Sequence, residues 1–543
     1  MANPVVVWGM LLYMAIPPKK EILPAKDSLE IIHYHFRISL NDTSDCIVGL
    51  ATLDIRFPRM IIPQLQLDLD GLHAATGKGM VVKSIRFAGQ LLPFSQDSGK
   101  LTMELGRIMI KSDTESLEIA YQGIPADGLI ISKNKSGHRM FFGDNWPDRA
   151  HDWLPVIDRP AAKATVDFVV IAPDRDQVVS NGRLVERSNL GGGYLRTHWR
   201  ETVPITPYLM VIGVAPFAVQ FLPAVHGTPL ESWVYPQDRK KGFADFAVAG
   251  KVLALYEKYL GPFPFEKLAN VESTTRYGGM ENASCIFYDD KQVTGRHLNE
   301  VIIAHEIAHQ WFGDDVTEKD WHHIWLSEGF ATFFENFYIG KVFGTDSLET
   351  VLRQNKKKVF ALYRRRPAPV VDTTITNLNL LLNANTYQKG GYVLRMLEHL
   401  LGKKKFWEGM RKYYQRYRHG CALTSDFERS MEQVAHTSLS WFFREWIYRP
   451  GYPVLDWNWT YRSETRSISV HLVQRQHRQV YRMPVDLRFY LKGERVIRKR
   501  LNLDQANQTW NFRMPERPDS VVIDPQQYLL MKATLTHPQA VML

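Results

Sequence analysis

From about residue 31 to 214 the chain alternates apolar and polar positions with a period of two, in short runs at 34–40, 51–57, 116–121 and 164–171 broken by turn residues. Such alternation turns one face of each run to a core and the other to water, so this stretch predicts a β-rich domain. From residue 242 the period lengthens. Runs 243–259 and 392–400 repeat apolar residues every three or four positions, the spacing of a helix with one buried face. After Arg449-Pro450-Gly451-Tyr452-Pro453 the period of two returns at 467–473 and 483–490, within about ninety residues, a length that fits a small β-sandwich. A chain of 543 residues also exceeds what one hydrophobic core serves. The expected organisation is α+β and multidomain: an N-terminal extension over 1–27, a β-rich domain over 28–214, a helix-dominated domain over 215–449 and a β-sandwich over 450–543.

Composition narrows the class without naming it. With 45% hydrophobic, 12% aromatic and 23% charged residues the chain has ample material for buried cores, which excludes a disordered protein. The formal charge of +10 is concentrated in Lys356-Lys357-Lys358, Arg364-Arg365-Arg366 and Lys403-Lys404-Lys405, continuing to Arg411-Lys412 and Arg416. These runs lie in segments of helical period, so solvated helix faces are expected, and no nucleic-acid module accompanies them. Three scattered cysteines, Cys46, Cys285 and Cys421, form neither a zinc knuckle nor a disulfide framework. The apolar run 5–16, closed by Pro17-Pro18-Lys19-Lys20, is too short to span a bilayer, and no other segment qualifies. Its length suits a signal-peptide core, which would send the chain to the periplasm or outside. No Lys or Arg precedes it and no small-residue cleavage site follows, which suits a buried strand and a cytoplasmic protein instead.

The chemistry gathers at Ile302-Ile303-Ala304-His305-Glu306-Ile307-Ala308-His309-Gln310-Trp311-Phe312. Histidines four apart share one helix face, with Cβ atoms ~5–6 Å apart, so both imidazoles reach one zinc ion while Glu306 stands beside them as a base. A second apolar helical run, 326–335, carries Glu328, with eighteen residues separating it from His309. Two histidines and a carboxylate are the three-ligand set of a catalytic zinc site, which keeps a fourth position open. Glu335, two turns past Glu328 on the same face, is placed to orient a ligand histidine. Upstream, the paired glycines of Tyr277-Gly278-Gly279-Met280-Glu281-Asn282 would let a strand edge approach an extended ligand.

Taken together these motifs resemble the aminopeptidase N-like zinc metallopeptidases, the gluzincin family that includes leukotriene hydrolase. That family has a Gly-x-Met-Glu-Asn strand, an H-E-x-x-H helix, a glutamate after eighteen residues, and a tyrosine ahead of Lys-Gly. Gly278, Gly279, Met280, Glu281 and Asn282 match the strand; His305, Glu306, His309 and Glu328 match the zinc site; Tyr387 in Thr386-Tyr387-Gln388-Lys389-Gly390 matches the tyrosine. Similarity also covers Trp153-Leu154-Pro155-Val156-Ile157-Asp158-Arg159-Pro160, so it extends over roughly residues 28–530. The resemblance implies an N-terminal β-rich saddle domain, a thermolysin-like helix-dominated catalytic domain and a C-terminal β-sandwich. Two departures accompany it. The family's C-terminal helical domain has no counterpart before Leu543, which implies a more open cleft. Counting back from Pro155, Trp146 stands where relatives place a Glu or Gln that grips the substrate amine.

The resemblance implies one zinc per chain, Glu306 as general base, Tyr387 as donor to the tetrahedral oxyanion, and Glu281 as partner of the substrate ammonium, with the Gly278-Gly279 backbone aligning the peptide. Peptides with a free N-terminus are the expected partners. A lipid-epoxide hydrolase would use the same zinc site, but no residue speaks for it. A non-catalytic scaffold would dispense first with Glu306 or Tyr387, and both are present.

Overall fold

The computed structural model describes residues 29–57, 64–105, 114–134, 137–476 and 480–536, so the 1–27 extension and its apolar run lie outside it. The N-terminal part is built on an eight-stranded sheet in the order Arg183–Gly191, Tyr194–Ile205, Ala164–Pro173, Glu30–Ser39, Ile47–Arg56, Thr114–Ile124, Gly79–Phe87, Gln90–Leu91. The period of two decides its faces. Along Glu30–Ser39 the alternate residues Tyr34, Phe36 and Ile38 are fully buried while their neighbours stay accessible. A separate four-stranded sheet runs in the order Gln177–Ser180, Ile212–Ala215, Arg139–Gly143 and Leu129–Lys133.

The middle of the chain opens with strands rather than helices. Five of them form a mixed sheet in the order Ala218–Val225, Thr228–Val234, Leu268–Ser273, Cys285–Asp289, Gly279–Met280. Periodicity did not reveal most of this sheet, because Leu268–Ser273 is buried at every position and Cys285–Asp289 at all but the last. A strand buried on both faces carries no alternation to read. Gly279–Met280 is the edge strand, paired on one side only, to Tyr288 and Phe287.

Nine α-helices lie among the described residues, the first two between Thr228–Val234 and Leu268–Ser273: α1 Arg239–Phe246, α2 Ala249–Leu260, α3 Glu300–His309, α4 Trp325–Val342, α5 Thr345–Arg365, α6 Gly390–Leu401, α7 Lys403–Tyr417, α8 Thr424–Ala435 and α9 Ser440–Trp446. None is long and apolar enough to cross a membrane. α4 is buried nearly all round through its first three turns, so it serves as the axis on which α3, α6 and α7 pack. At one point α4 meets the start of α6 through glycines: a Cβ on Gly329 would lie 2.9 Å from Gly390 Cα. Only residues without side chains permit that approach.

The C-terminal part holds a four-stranded sheet, Asn507–Arg513, Ser467–Gln474, Val454–Arg462 and Lys532–Leu535, and a three-stranded one, Val496–Leu503, Met483–Tyr490 and Ser520–Ile523. Leu455, Ile468 and Leu472 from the first and Val485, Leu487 and Phe489 from the second are buried in the same core. One lysine of the basic runs departs from the expected solvated face. Lys356 on α5 is 9% exposed, and its Nζ donates to Gln527 Oε1 at 2.8 Å and lies 3.6 Å from Asp524 Oδ2, tying the helix to the C-terminal strands. The three cysteines are all free.

Candidate active site

A cleft of about 340 Å³ runs between the edge strand and the amino half of α4, and α3 forms its floor. His305 and His309, one turn apart, project from α3 with ring centroids 4.8 Å apart. The first turn of α4 delivers Glu328 between them: its Oε2 lies 3.4 Å from His305 Nε2 and 3.3 Å from His309 Nε2. The three donor atoms fall within 4.8 Å of one another.

The other ring nitrogens are turned outward and held. His305 Nδ1 is 3.0 Å from Glu335 Oε2, and His309 Nδ1 is 3.2 Å from the main-chain oxygen of Phe312 and 2.9 Å from Ser327 Oγ. A carboxylate and a carbonyl can only accept, so each neutral ring carries its proton on Nδ1 and keeps a lone pair on Nε2. Two inward imidazole nitrogens and one carboxylate oxygen suit zinc in both donor type and number. The turn beneath His309 depends on Gly313, whose φ of +125° favours glycine and whose added Cβ would lie 2.4 Å from Ser327 Oγ.

Glu306 projects from α3 toward the edge strand. It is 6% exposed, and burial, with the neighbouring carboxylates Glu281 and Glu328, pushes its carboxyl up to about 7 against the pull of both imidazoles. Glu328 goes the other way. Its burial is outweighed by His309 and His305, which hold it down to about 2. Two carboxylates of one cleft are thus driven in opposite directions, one toward a proton carrier and one toward a permanent anion.

Tyr387 arrives from a single wide turn, Asn385–Lys389, immediately before α6. The Gly329–Gly390 contact brings this turn against α4, and the Tyr387 hydroxyl donates to Glu328 Oε1 at 2.6 Å. Its ring lies parallel to that of His305, 6.0 Å away.

The opposite wall is the edge strand. Gly278, Gly279, Met280 and Glu281 all line the cleft. Of the two glycines only Gly279 is sterically required, since its added Cβ would stand 2.4–2.6 Å from Glu306 Oε1, Cδ and Cγ, whereas at Gly278 the nearest atom is 3.6 Å off. Glu281 is 7% exposed, and burial raises its carboxyl. Asn282 sits differently from its neighbours. It is fully buried, lies outside the cleft lining, and neither its Nδ2 nor its Oδ1 has a partner. Trp146 does line the cleft, packed against Tyr277 and Trp321 with centroids 6.1 and 5.8 Å away.

Sequence reasoning passed over two residues that hold the walls together. Gln310 Nε2 donates to the main-chain oxygen of Glu281 at 2.8 Å, and its Oε1 accepts from the Ser284 amide at 2.8 Å, clamping the edge strand to the end of α3. Ser327 braces His309. Both adjoin a ligand in the chain, and that adjacency was the one available signal.

Residues 31–209 match the Peptidase M1 N-terminal domain and residues 245–446 the Peptidase family M1 domain. The chain is 27% identical over 497 residues to the probable aminopeptidase 2 of Sulfurisphaera tokodaii, covering 87% of this chain and 60% of that protein. It is 30% identical over 337 residues to the glutamyl aminopeptidase of Homo sapiens, covering 58% of this chain and 34% of that one. Among solved structures, aminopeptidase A of Legionella pneumophila in complex with aspartic acid superimposes with a TM-score of 0.81 at 20% identity, over 94% of this chain and 60% of that chain. The chain therefore spans about 60% of the archaeal and bacterial relatives' length and about a third of the human one's.

Proposed function

The chain belongs to peptidase family M1, and from that membership together with the cleft's geometry we propose that it is a zinc-dependent aminopeptidase, removing residues from peptides with a free N-terminus. The observation that carries the proposal is the meeting of His305, His309 and Glu328 donor atoms within 4.8 Å, in a cleft whose opposite wall is an unpaired strand edge. His305 Nε2, His309 Nε2 and a Glu328 oxygen would hold the metal. Zinc bound there would polarise the scissile carbonyl and acidify the attacking water toward ~7.

The protein's own groups do the rest. Glu306, held near neutrality by its burial, accepts the water's proton at its carboxylate and delivers it to the leaving amine. The Tyr387 hydroxyl, half-buried at the cleft and hydrogen-bonded to Glu328, is the donor for the oxyanion that forms on the carbonyl oxygen. Glu335 and the Phe312 carbonyl keep both imidazoles turned so that Nε2 faces inward. The free edge at Gly278 and Gly279 takes the peptide backbone as an added strand, and the buried Glu281 carboxylate pairs with its terminal ammonium. Trp146, where relatives keep a polar side chain, would offer that ammonium an indole face worth ~0.5–2 kcal/mol. In this reading the middle of the chain is a thermolysin-like catalytic unit and the two C-terminal sheets form a β-sandwich.

The test uses one peptide in free and N-acetylated form, with and without chelator, and reads the cleavage position by mass spectrometry. Loss of the N-terminal residue from the free peptide alone, abolished by the chelator, is expected. Equal cleavage of the acetylated peptide, or cleavage inside it, would overturn the exopeptidase assignment.

A further inference from the structure

Away from the cleft, the strand period gathers a second set of metal-ligating side chains. Along Glu30–Ser39 the buried Tyr34 and Phe36 face the core, so His33 and His35 share the opposite face of the eight-stranded sheet. The next strand, Ala164–Pro173, runs parallel and sets Thr165 beside His33 and Asp167 beside His35. One ring nitrogen of each histidine and one Asp167 oxygen lie within 4.8 Å of one another, the same closeness that His305, His309 and Glu328 show. None of the three sheet residues lines the cleft.

The hydrogen bonds around this set leave room for a cation. Thr165 Oγ1 donates to the main-chain oxygen of Ile32 at 3.1 Å, so toward His33 Nδ1, 2.7 Å away, it can only accept. The neutral His33 ring therefore carries its proton on Nδ1 and turns the Nε2 lone pair to Asp167 Oδ1, 4.0 Å off. Asp167 is buried, and three N–H groups occupy three of its roughly four lone-pair sites: Arg200 Nε at 2.8 Å, Arg200 Nη2 at 2.7 Å and His198 Nε2 at 2.9 Å. His35 Nδ1 lies 3.7 Å from Asp167 Oδ2. Both histidine separations exceed the ~2.7–3.2 Å of a hydrogen bond, whereas two ligand bonds of ~2.0–2.2 Å to one ion would span them. Lone pair facing lone pair is unfavourable unless a cation lies between. Asp54, opposite His33 on Ile47–Arg56, adds a second negative charge that offsets Arg200.

We propose that His33 Nε2, His35 Nδ1 and Asp167 form a second metal site, for one divalent transition-metal ion of the zinc class. Two imidazoles and a carboxylate are a donor set such ions take, and water completes the coordination on the solvent side, where both rings are half-buried. Thr165 orients His33, while Arg200 and His198 orient Asp167. The ion ties together two strands whose facing residues, His33 and Thr165, stand 132 positions apart in the chain, so its role is to brace the sheet. Arg200 competes for the same carboxylate, which makes this ion the more weakly held of the two.

Equilibrium dialysis of the full chain against Zn²⁺, with bound metal counted by elemental analysis, tests the site. Wild type should hold two ions per chain, and His309→Ala, which removes a cleft ligand, should keep one. His35→Thr, a substitution that suits an exposed strand, should hold one ion fewer than wild type. Thr165→Val keeps the shape of the residue and removes the acceptor for His33 Nδ1, so it should weaken the second ion by ~10–100-fold and leave the first unchanged. His73→Ala, at an exposed histidine paired with Asp70, should change neither. No ion in His309→Ala, as many ions in His35→Thr as in wild type, undiminished affinity in Thr165→Val, or equal loss in His73→Ala would overturn the proposal. One ion in both wild type and His309→Ala, lost in His35→Thr, would uphold this site while sinking the zinc reading of the cleft, so the two failures are distinguishable.

Discussion

Gly279→Ala is the sharpest perturbation available at the cleft, because a single methyl group reaches the proposed general base and none of the zinc ligands. The added Cβ would stand 2.4 Å from Glu306 Oε1, 2.5 Å from Cδ and 2.6 Å from Cγ, where ordinary contacts begin near 3.4 Å. One of the two must retreat by about an ångström. Three of the overlapping atoms run back along the Glu306 side chain, and that side chain is 6% exposed, so a rotation of its tip does not relieve the overlap. The edge strand is no freer, since the Glu281 carbonyl is clamped by Gln310 and Gly279 pairs with Tyr288. A misplacement of ~1 Å in a catalytic group costs on the order of 10²-fold, equivalent to about 2.7 kcal/mol of barrier. Steady-state hydrolysis of a chromogenic aminoacyl substrate should show kcat reduced by roughly that factor, and metal analysis should show zinc content unchanged. In a Glu306→Gln background the same alanine should add little, because the base it displaces is already gone. A Gly279→Ala enzyme within about twofold of wild-type kcat would refute the argument, and so would a full additional loss in the double variant.

Other expectations follow from the same geometry. Glu306→Gln should retain zinc and lose on the order of 10²–10⁴ in kcat, and Tyr387→Phe should lower kcat with KM little changed, both read from Michaelis–Menten curves beside metal content. His309→Ala removes one of three ligands and should reproduce the chelated enzyme, with zinc content and activity falling together. Glu281→Ala should reduce kcat/KM for a free peptide by roughly 30-fold to several thousand-fold, the ~2–5 kcal/mol of an unpartnered buried charge. The N-acetylated peptide should react equally poorly with both forms.

Much of this molecule was legible along the chain because the signals were local. A spacing of four on an apolar helix puts His305 and His309 on one face of α3 whatever the rest of the protein does, and alternation over 34–40 has the same consequence for Tyr34, Phe36 and Ile38 in their sheet. The helical run also placed Glu328 near the start of a following helix, and of the strand read over Gly278 to Asn282 the structure forms Gly279–Met280. Other features depended on residues far apart in sequence. Within the five-stranded sheet, Leu268–Ser273 and Cys285–Asp289 escaped notice because strands covered on both faces lose their period. The solvated face expected of the basic runs failed at Lys356, which is drawn inward by Asp524, 168 positions away. Asn282 looked like one more residue of a cleft strand, yet it lies past the end of Gly279–Met280 and is buried outside the cleft lining.

What the chain by itself determined was which donor types stand on which face of which element, since helix and strand periods are set by backbone geometry within a few residues. Only the tertiary structure decided which faces meet. Gly279 matters because Glu306 of another element fills the space beside it, and Tyr387 reaches Glu328 because Gly329 and Gly390 let two segments touch. Those contacts arise when separate elements pack at fixed distance, and close packing is a property of the assembled core rather than of any stretch of sequence.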